Sequence, residues 1–343
     1  VDAAIDTSPD VEQPTGSAPE RWFAFLSWPT DRFHLFASRV VAGKADPPVL
    51  ISANLKTWGP EADAFRWSPS GKQLAFLADP EVAGRYDLFV ASINANAFDP
   101  PTRINLPSPT LTSVSTYRWS HDGTMLAFVV GTENPVSIYI ARMDGSPPLL
   151  VSDQAHPSSS PPLEFSDDDS RLAFLASNGD LMTLDVDADT TSVLEIAAPT
   201  YIGLFHWARG APVLGYTRPP GVNEGGQFHW VSFEGGTALP AAVFGSFGID
   251  LEWDWAPNGT RLAFLGYDAL TFDDFGLYVA DIQPVSSPVL AVPSTEISLW
   301  DWAPDGAALW FETGGVDTTS VHVVRMAAGV TEPPQSVTGN LAP

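Results

Sequence analysis

Six ten-residue segments of this chain share one frame: an aromatic residue, a tight turn, then Leu-Ala-Phe or a near copy beginning seven residues after the aromatic. They are WSPSGKQLAF from Trp67, WSHDGTMLAF from Trp119, FSDDDSRLAF from Phe165, WARGAPVLGY from Trp207, WAPNGTRLAF from Trp255 and WAPDGAALWF from Trp302. Successive starts lie 52, 46, 42, 48 and 47 residues apart. A period of that length exceeds most helical repeats and suits a four-stranded antiparallel blade.

Each copy continues with a second alternating stretch, such as YDLFVA from Tyr86, VSIYIA from Val136, GDLMTLD from Gly179 or GLYVAD from Gly276. A third follows, commonly announced by proline: PPVLIS from Pro47, PPTRIN from Pro100, PPLLVS from Pro147, SPVLAV from Ser287 and PPQSVT from Pro333. Proline has no ladder donor, so these stretches belong on outermost strands, whose edges they also blunt. The residue types of the frame have local reasons. Asp, Asn or Ser followed by Gly closes a tight turn, and a Trp fills the wedge between neighbouring sheets. Leu and Phe of the triplet share one face, with Ala where the next sheet comes close.

Ahead of Trp67, RWFAFLS from Arg21, RFHLFAS from Arg32 and PPVLIS supply a seventh blade. There Phe23-Ala24-Phe25 takes the triplet's place, which puts Gly16 where the aromatic belongs and Glu20 where the turn glycine belongs. The innermost strand of this blade is therefore expected to be degenerate or missing. Residues 11–16 are favoured over the tail 339–343 as the strand that closes the ring. The expected architecture is an all-β propeller of seven four-stranded blades; the alternative is six blades plus an N-terminal hairpin. Residues 1–19 read as an acidic leader or tether, 20–338 as the propeller and 339–343 as a tail.

The W-S-P-D-G-x-x-L-A-F frame resembles the TolB-like propeller repeat of periplasmic TolB and of the propellers in dipeptidyl peptidases and prolyl oligopeptidases. The resemblance implies an exported scaffold or binding module; the expected location is periplasmic or at the cell surface, with or without a lipid anchor through the N-terminus. It implies no particular ligand.

Composition narrows the partners. With 41 acidic against 16 basic residues and a net charge of -25, the chain lacks the basic footprint that nucleic acid requires. The absence of cysteine excludes disulfides and thiolate chemistry, and no apolar run reaches membrane-spanning length. No cofactor is called for. The one metal candidate is calcium at Asp185, Asp187 and Asp189, alternate carboxylates of the kind that open a calcium loop, although Thr190 stands where such loops need Gly and Ile196 where they need Glu. The triplet Asp167, Asp168 and Asp169 falls in a frame turn and is explained by turn chemistry.

For catalysis the sequence offers little. Gly245-Ser246-Phe247-Gly248 has the wrong spacing for a nucleophile elbow, and the six histidines show no ligand spacing. The informative constellation is the residue just before each frame aromatic: Arg66, Arg118, Glu164, His206, Asp254 and Asp301. On innermost strands these six should approach the central channel, either as a structural ion-pair network or as a channel-mouth ligand site. The connections at 78–85, 217–227 and 266–275 are the longest after the triplet and are expected to form a binding face. In the last, Tyr267, Phe272 and Phe275 stand with Asp273 and Asp274, a mixture suited to a basic protein or a glycan. The leading expectation is thus a non-catalytic binding propeller. A lyase or hydrolase using His206, Glu164 and Asp254 with Arg66 or Arg118 is the alternative, and a structural subunit of a surface assembly the third.

Overall fold

The computed structural model describes residues 5–7, 20–27, 33–52, 56–57, 65–79, 85–94, 97–105, 113–156, 163–186, 193–197, 202–218, 227–234, 237–239, 242–244, 247–268, 275–282, 285–293, 297–314, 320–327, 330–331 and 334–337. Every element among them is a β-strand, and the strands form seven antiparallel sheets, one per sequence repeat. The chain divides into two compact units, Val1–Ser158 with the first three sheets and Ser159–Pro343 with the other four.

The main strands of each sheet follow chain order, and in the first, second, fifth and seventh sheets two short segments share a neighbouring strand. The third sheet is the plainest case: Val114–Trp119, Met125–Val130, Val136–Arg142 and Leu149–Ala155. Short segments preceded by proline take the outermost place in the first, second, third, sixth and seventh sheets, at Val49–Leu50, Thr102–Arg103, Leu149–Ala155, Val289–Pro293 and Gln335–Ser336. The missing proline N–H therefore costs no ladder bond.

The triplet lies at the centre of each sheet. Its Leu is fully buried at Leu74, Leu126, Leu172, Leu214, Leu262 and Leu309. Its aromatic stacks on the residue opposite it in the third strand, as in Phe76 on Phe89, Phe128 on Tyr139, Tyr216 on His229, Phe264 on Tyr278 and Phe311 on His322, with ring centroids 5.1 to 5.8 Å apart. Cross-strand aromatic pairs of this kind fix register as well as burying area. Only the fourth repeat departs, with Phe174 opposite Met182.

The frame turns also behave as the residue types require. Asp122 accepts bonds from Ser120 Oγ (2.7 Å) and Thr124 N (2.8 Å), and Asp168 does the same for Ser166 and Ser170. The last turn position is left-handed in Gly71, Gly123, Gly259 and Gly306, while in the fifth repeat the left-handed glycine, Gly210, stands one residue earlier. In the fourth repeat that duty falls to Asp169, at φ 57°, a conformation aspartate tolerates better than most side chains.

The first sheet contains what the frame could not show. Its innermost strand is Ile5–Thr7, paired with Glu20–Ser27 so that Asp6 faces Ala24. Of the two expectations for this strand, degenerate or missing, the first holds: a three-residue strand without a frame aromatic is present and in phase, reached through a connection longer than the frame turn. Residues 11–16 and 339–343, considered for ring closure, lie outside the described residues.

Candidate functional site

The six residues that precede the frame aromatics share one structural position. Arg66 faces Ala75, Arg118 faces Ala127, Glu164 faces Ala173, His206 faces Gly215, Asp254 faces Ala263 and Asp301 faces Trp310. By the same register Asp6 is a further member of the row, opposite Ala24. Sequence reasoning missed it because Ile5-Asp6-Thr7 carries no frame aromatic; only the pairing partner Ala24, read from the triplet, could have pointed to it.

The side chains on either side are buried, as the two-residue period demands: Phe65 and Trp67, Leu163 and Phe165, Phe205 and Trp207, Trp253 and Trp255. The six residues Arg66, Arg118, Glu164, His206, Asp254 and Asp301 project to the other face and keep contact with solvent. Main-chain carbonyls of the row are committed to the next sheet. Trp119 Nε1 donates to Arg66 O (3.3 Å), Trp207 Nε1 to Glu164 O (3.2 Å), Trp255 Nε1 to His206 O (3.1 Å) and Trp302 Nε1 to Asp254 O (3.4 Å). The frame Trp is therefore both wedge and staple: its ring fills the gap and its N–H satisfies a carbonyl one sheet back.

In the second unit the side chains of the row also pair. Glu164 Oε2 lies 3.1 Å from His206 Nδ1, and its Oε1 accepts from Trp207 N at 3.4 Å. His206 stands edge-on to Trp253, centroids 5.3 Å apart. Burial alone would lower the His206 pKa, but the hydrogen bond and charge of Glu164 and the charge of Asp254 outweigh it, so the imidazole titrates above its ordinary value. Asp254 and Asp301 each accept a bond from the N–H of the following tryptophan, at 2.8 and 2.7 Å. The Asp254 side chain is exposed, yet the protein mass around its carboxyl raises its pKa, offset by the Trp255 N–H and the charges of His206 and Arg209 and reinforced by Asp301.

In the first unit, Arg118 Nη1 donates to Tyr117 O (2.8 Å) and Thr116 Oγ1 (3.3 Å), which folds the guanidinium back along its own strand. Arg66 is half-buried.

The remaining candidates are dispersed. Asp185 sits at the end of Leu181–Asp185, 4.0 Å from Arg171, and Asp187 and Asp189 lie outside the described residues. Among the described residues no three His, Asp or Glu side chains are grouped to hold a metal ion. Tyr267 is half-buried in Arg261–Asp268, and Phe275 packs against the core that includes Leu265, Leu277 and Trp302. Phe272, Asp273 and Asp274 lie outside the described residues. No helix among the described residues is long and apolar enough to cross a membrane.

With this geometry in hand, solved structures supply the comparison. The chain is similar to a prolyl endopeptidase, with a TM-score of 0.50 at 12% identity over 95% of this chain and 49% of that one. The fold is a β-propeller. TolB from Acinetobacter baumannii is a further neighbour, with a TM-score of 0.36 at 14% identity over 92% of this chain and 79% of that one. So is a putative TolB from Agrobacterium tumefaciens, with 0.38 at 18% over 76% and 91%. The propeller chain spans about half the length of the prolyl endopeptidase. No protein-family model matches the sequence, and no curated protein does. At these identities the likeness concerns architecture alone.

Proposed function

We propose that this propeller is an exported, non-catalytic binding module, which holds a basic protein or a glycan on its long connections. One observation carries the reading. The polar row, where a propeller enzyme would keep its reactive groups, is engaged with its own scaffold: Glu164 with His206 and Trp207 N, Asp254 with Trp255 N, Asp301 with Trp302 N, Arg118 with Tyr117 O. A row occupied in this way sets register between sheets and leaves recognition to the connections, of which 266–275 is the richest in aromatic and acidic residues. The charge of -25 favours a cationic partner and makes the association sensitive to salt.

The test replaces residues 266–275 by a short Gly/Ser link and compares both proteins on a glycan array and on a panel of basic proteins at low and high salt. Loss of a salt-sensitive signal supports the proposal. Equal retention by both proteins contradicts it.

A second reading has the His206–Glu164 pair in its favour, since a carboxylate that orients an imidazole is the usual setting of a general base. Turnover of a carboxylate-bearing glycan by the chain, lost in His206→Gln, would replace the binding proposal with this one.

A further inference from the structure

The first unit holds a cleft of about 570 Å³ between its second and third sheets. This is within the usual size range of small-molecule sites. Val90, Ile104, Ala141, Met143, Pro147 and Pro148 form apolar walls. Gln73, Ser92 and Thr102 add uncharged polar groups, and the charged lining consists of Arg103 and Arg142. Among the described residues that line it, none is acidic. That is notable in a chain with 41 acidic and 16 basic residues, whose overall field repels anions.

Arg103 is held in place from beneath. Its Nη2 lies 2.8 Å from Asp87 Oδ2, a carboxylate only 1% exposed. Asp87 is itself fixed by Asn105 Nδ2 at 2.8 Å and by Arg85 Nη2 at 3.3 Å, while Asn105 Oδ1 accepts from Leu88 N. An ion pair anchored in the sheet orients the planar guanidinium before any ligand arrives, and pre-organisation of that kind lowers the cost of binding. Arg142, at the end of Val136–Arg142, is exposed, and its Nη1 rests 3.7 Å from Met125 Sδ.

We propose that this cleft binds a small organic anion, a phosphate ester or polycarboxylate, whose charged group is held by Arg103 and Arg142 and whose carbon skeleton lies against Met143, Pro147 and Pro148. The anionic group supplies the acceptors that a guanidinium fork recognises, and the apolar walls require a ligand that carries more than the charge. The site lies on sheets remote in sequence from residues 266–275, so its failure and that of the partner-binding reading are separate results.

Calorimetry on the full chain with glucose 6-phosphate, citrate, unphosphorylated glucose and sodium chloride of matched ionic strength tests this. Saturable binding of one of the two anions, with none for glucose or chloride, is expected; which one binds identifies the charged group. Arg142→Gln, an exposed change that spares the Asp87 network, should weaken binding by about tenfold or more. Arg103→Lys keeps the charge beside Asp87 but removes the fork, and should weaken it as well. Absence of binding by both anions up to about 10 mM, equal binding of glucose, or binding indifferent to both substitutions overturns the proposal.

Discussion

Trp67 and Trp255 occupy the same frame position in the second and sixth sheets, and they are equally buried in kind, at 8% and 3% exposure. Their indoles nevertheless have different fates. Trp255 Nε1 donates to His206 O, whereas Trp67 Nε1 is buried without a hydrogen-bond partner among the described residues. The difference follows from the sheet that comes before each. The fifth sheet has a full frame, while the first has the brief Ile5–Thr7 strand in place of one. The frame tryptophan thus makes two separable contributions, volume and hydrogen bond, and Trp67, which follows the irregular first repeat, retains only the volume. A buried donor left unpaired costs free energy, so the second sheet bears a local penalty that the sixth does not.

The sixth junction is also the tighter of the two. Gly215 stands where five other repeats have alanine, at Ala24, Ala75, Ala127, Ala173 and Ala263, and a Cβ built there would lie 2.7 Å from both Phe228 Cζ and Trp255 Cζ2. Repeat consensus recommends Gly215→Ala as a stabilising change. Packing predicts the opposite, a loss of about 1–3 kcal/mol from overpacking, measurable by urea denaturation; a gain in stability would show that the aromatic cluster yields more easily than this geometry implies.

Two histidines of the fifth sheet sharpen the contrast between partnered and unpartnered groups. His229 stacks on Tyr216, its Nε2 is buried without a partner among the described residues, and burial together with the Arg218 charge lowers its pKa from 6.5 to about 4. The unfolded chain then binds the proton more readily, so stability should fall as pH drops from 6.5 towards 4, by on the order of 1–2 kcal/mol once solvent screening is allowed for. Thermal melts of the wild type against His229→Phe should show that slope disappear in the variant. His206 carries the opposite sign. Its raised pKa gives stability that is present below pH 6.5 and lost as pH rises through the folded value. In an NMR titration its midpoint should lie above 6.5 and move down in Glu164→Gln; identical midpoints would mean the 3.1 Å contact carries no charge coupling.

A smaller effect belongs to the fourth repeat. Asp169 adopts the left-handed conformation that glycine provides at the same position of four sister turns. Asp169→Gly should stabilise the chain by about 0.5–1 kcal/mol, visible as a modest rise in melting temperature, and a fall would assign the aspartate side chain a role beyond the turn.

Much of this architecture was legible in the residues. The triplet placed the central strands, the turn residues placed the hairpins, and proline placed the outer edges, because each is a local rule of backbone geometry. What escaped were relations between repeats. The pairing of Glu164 with His206 joins residues 42 apart on neighbouring sheets, and no periodicity within a strand encodes it. The acceptor of each indole is a main-chain carbonyl, which has no residue type to read. Ile5–Thr7 was hidden for a related reason, since three residues without a frame aromatic have no signature until Ala24 is seen opposite Asp6. The long connections, where the binding reading rests, obey no repeat at all.

The frame tryptophan contributes a hydrogen bond as well as volume. Trp255→Phe and Trp67→Phe remove the indole N–H while keeping an aromatic ring, so their unfolding free energies, measured side by side in urea, isolate that bond. The lost volume enters both variants. Trp255→Phe should cost about 1–2 kcal/mol more than Trp67→Phe, because only the former leaves a carbonyl, that of His206, without its donor. Equal losses at the two positions would contradict the claim and reduce the frame tryptophan to a space-filling wedge.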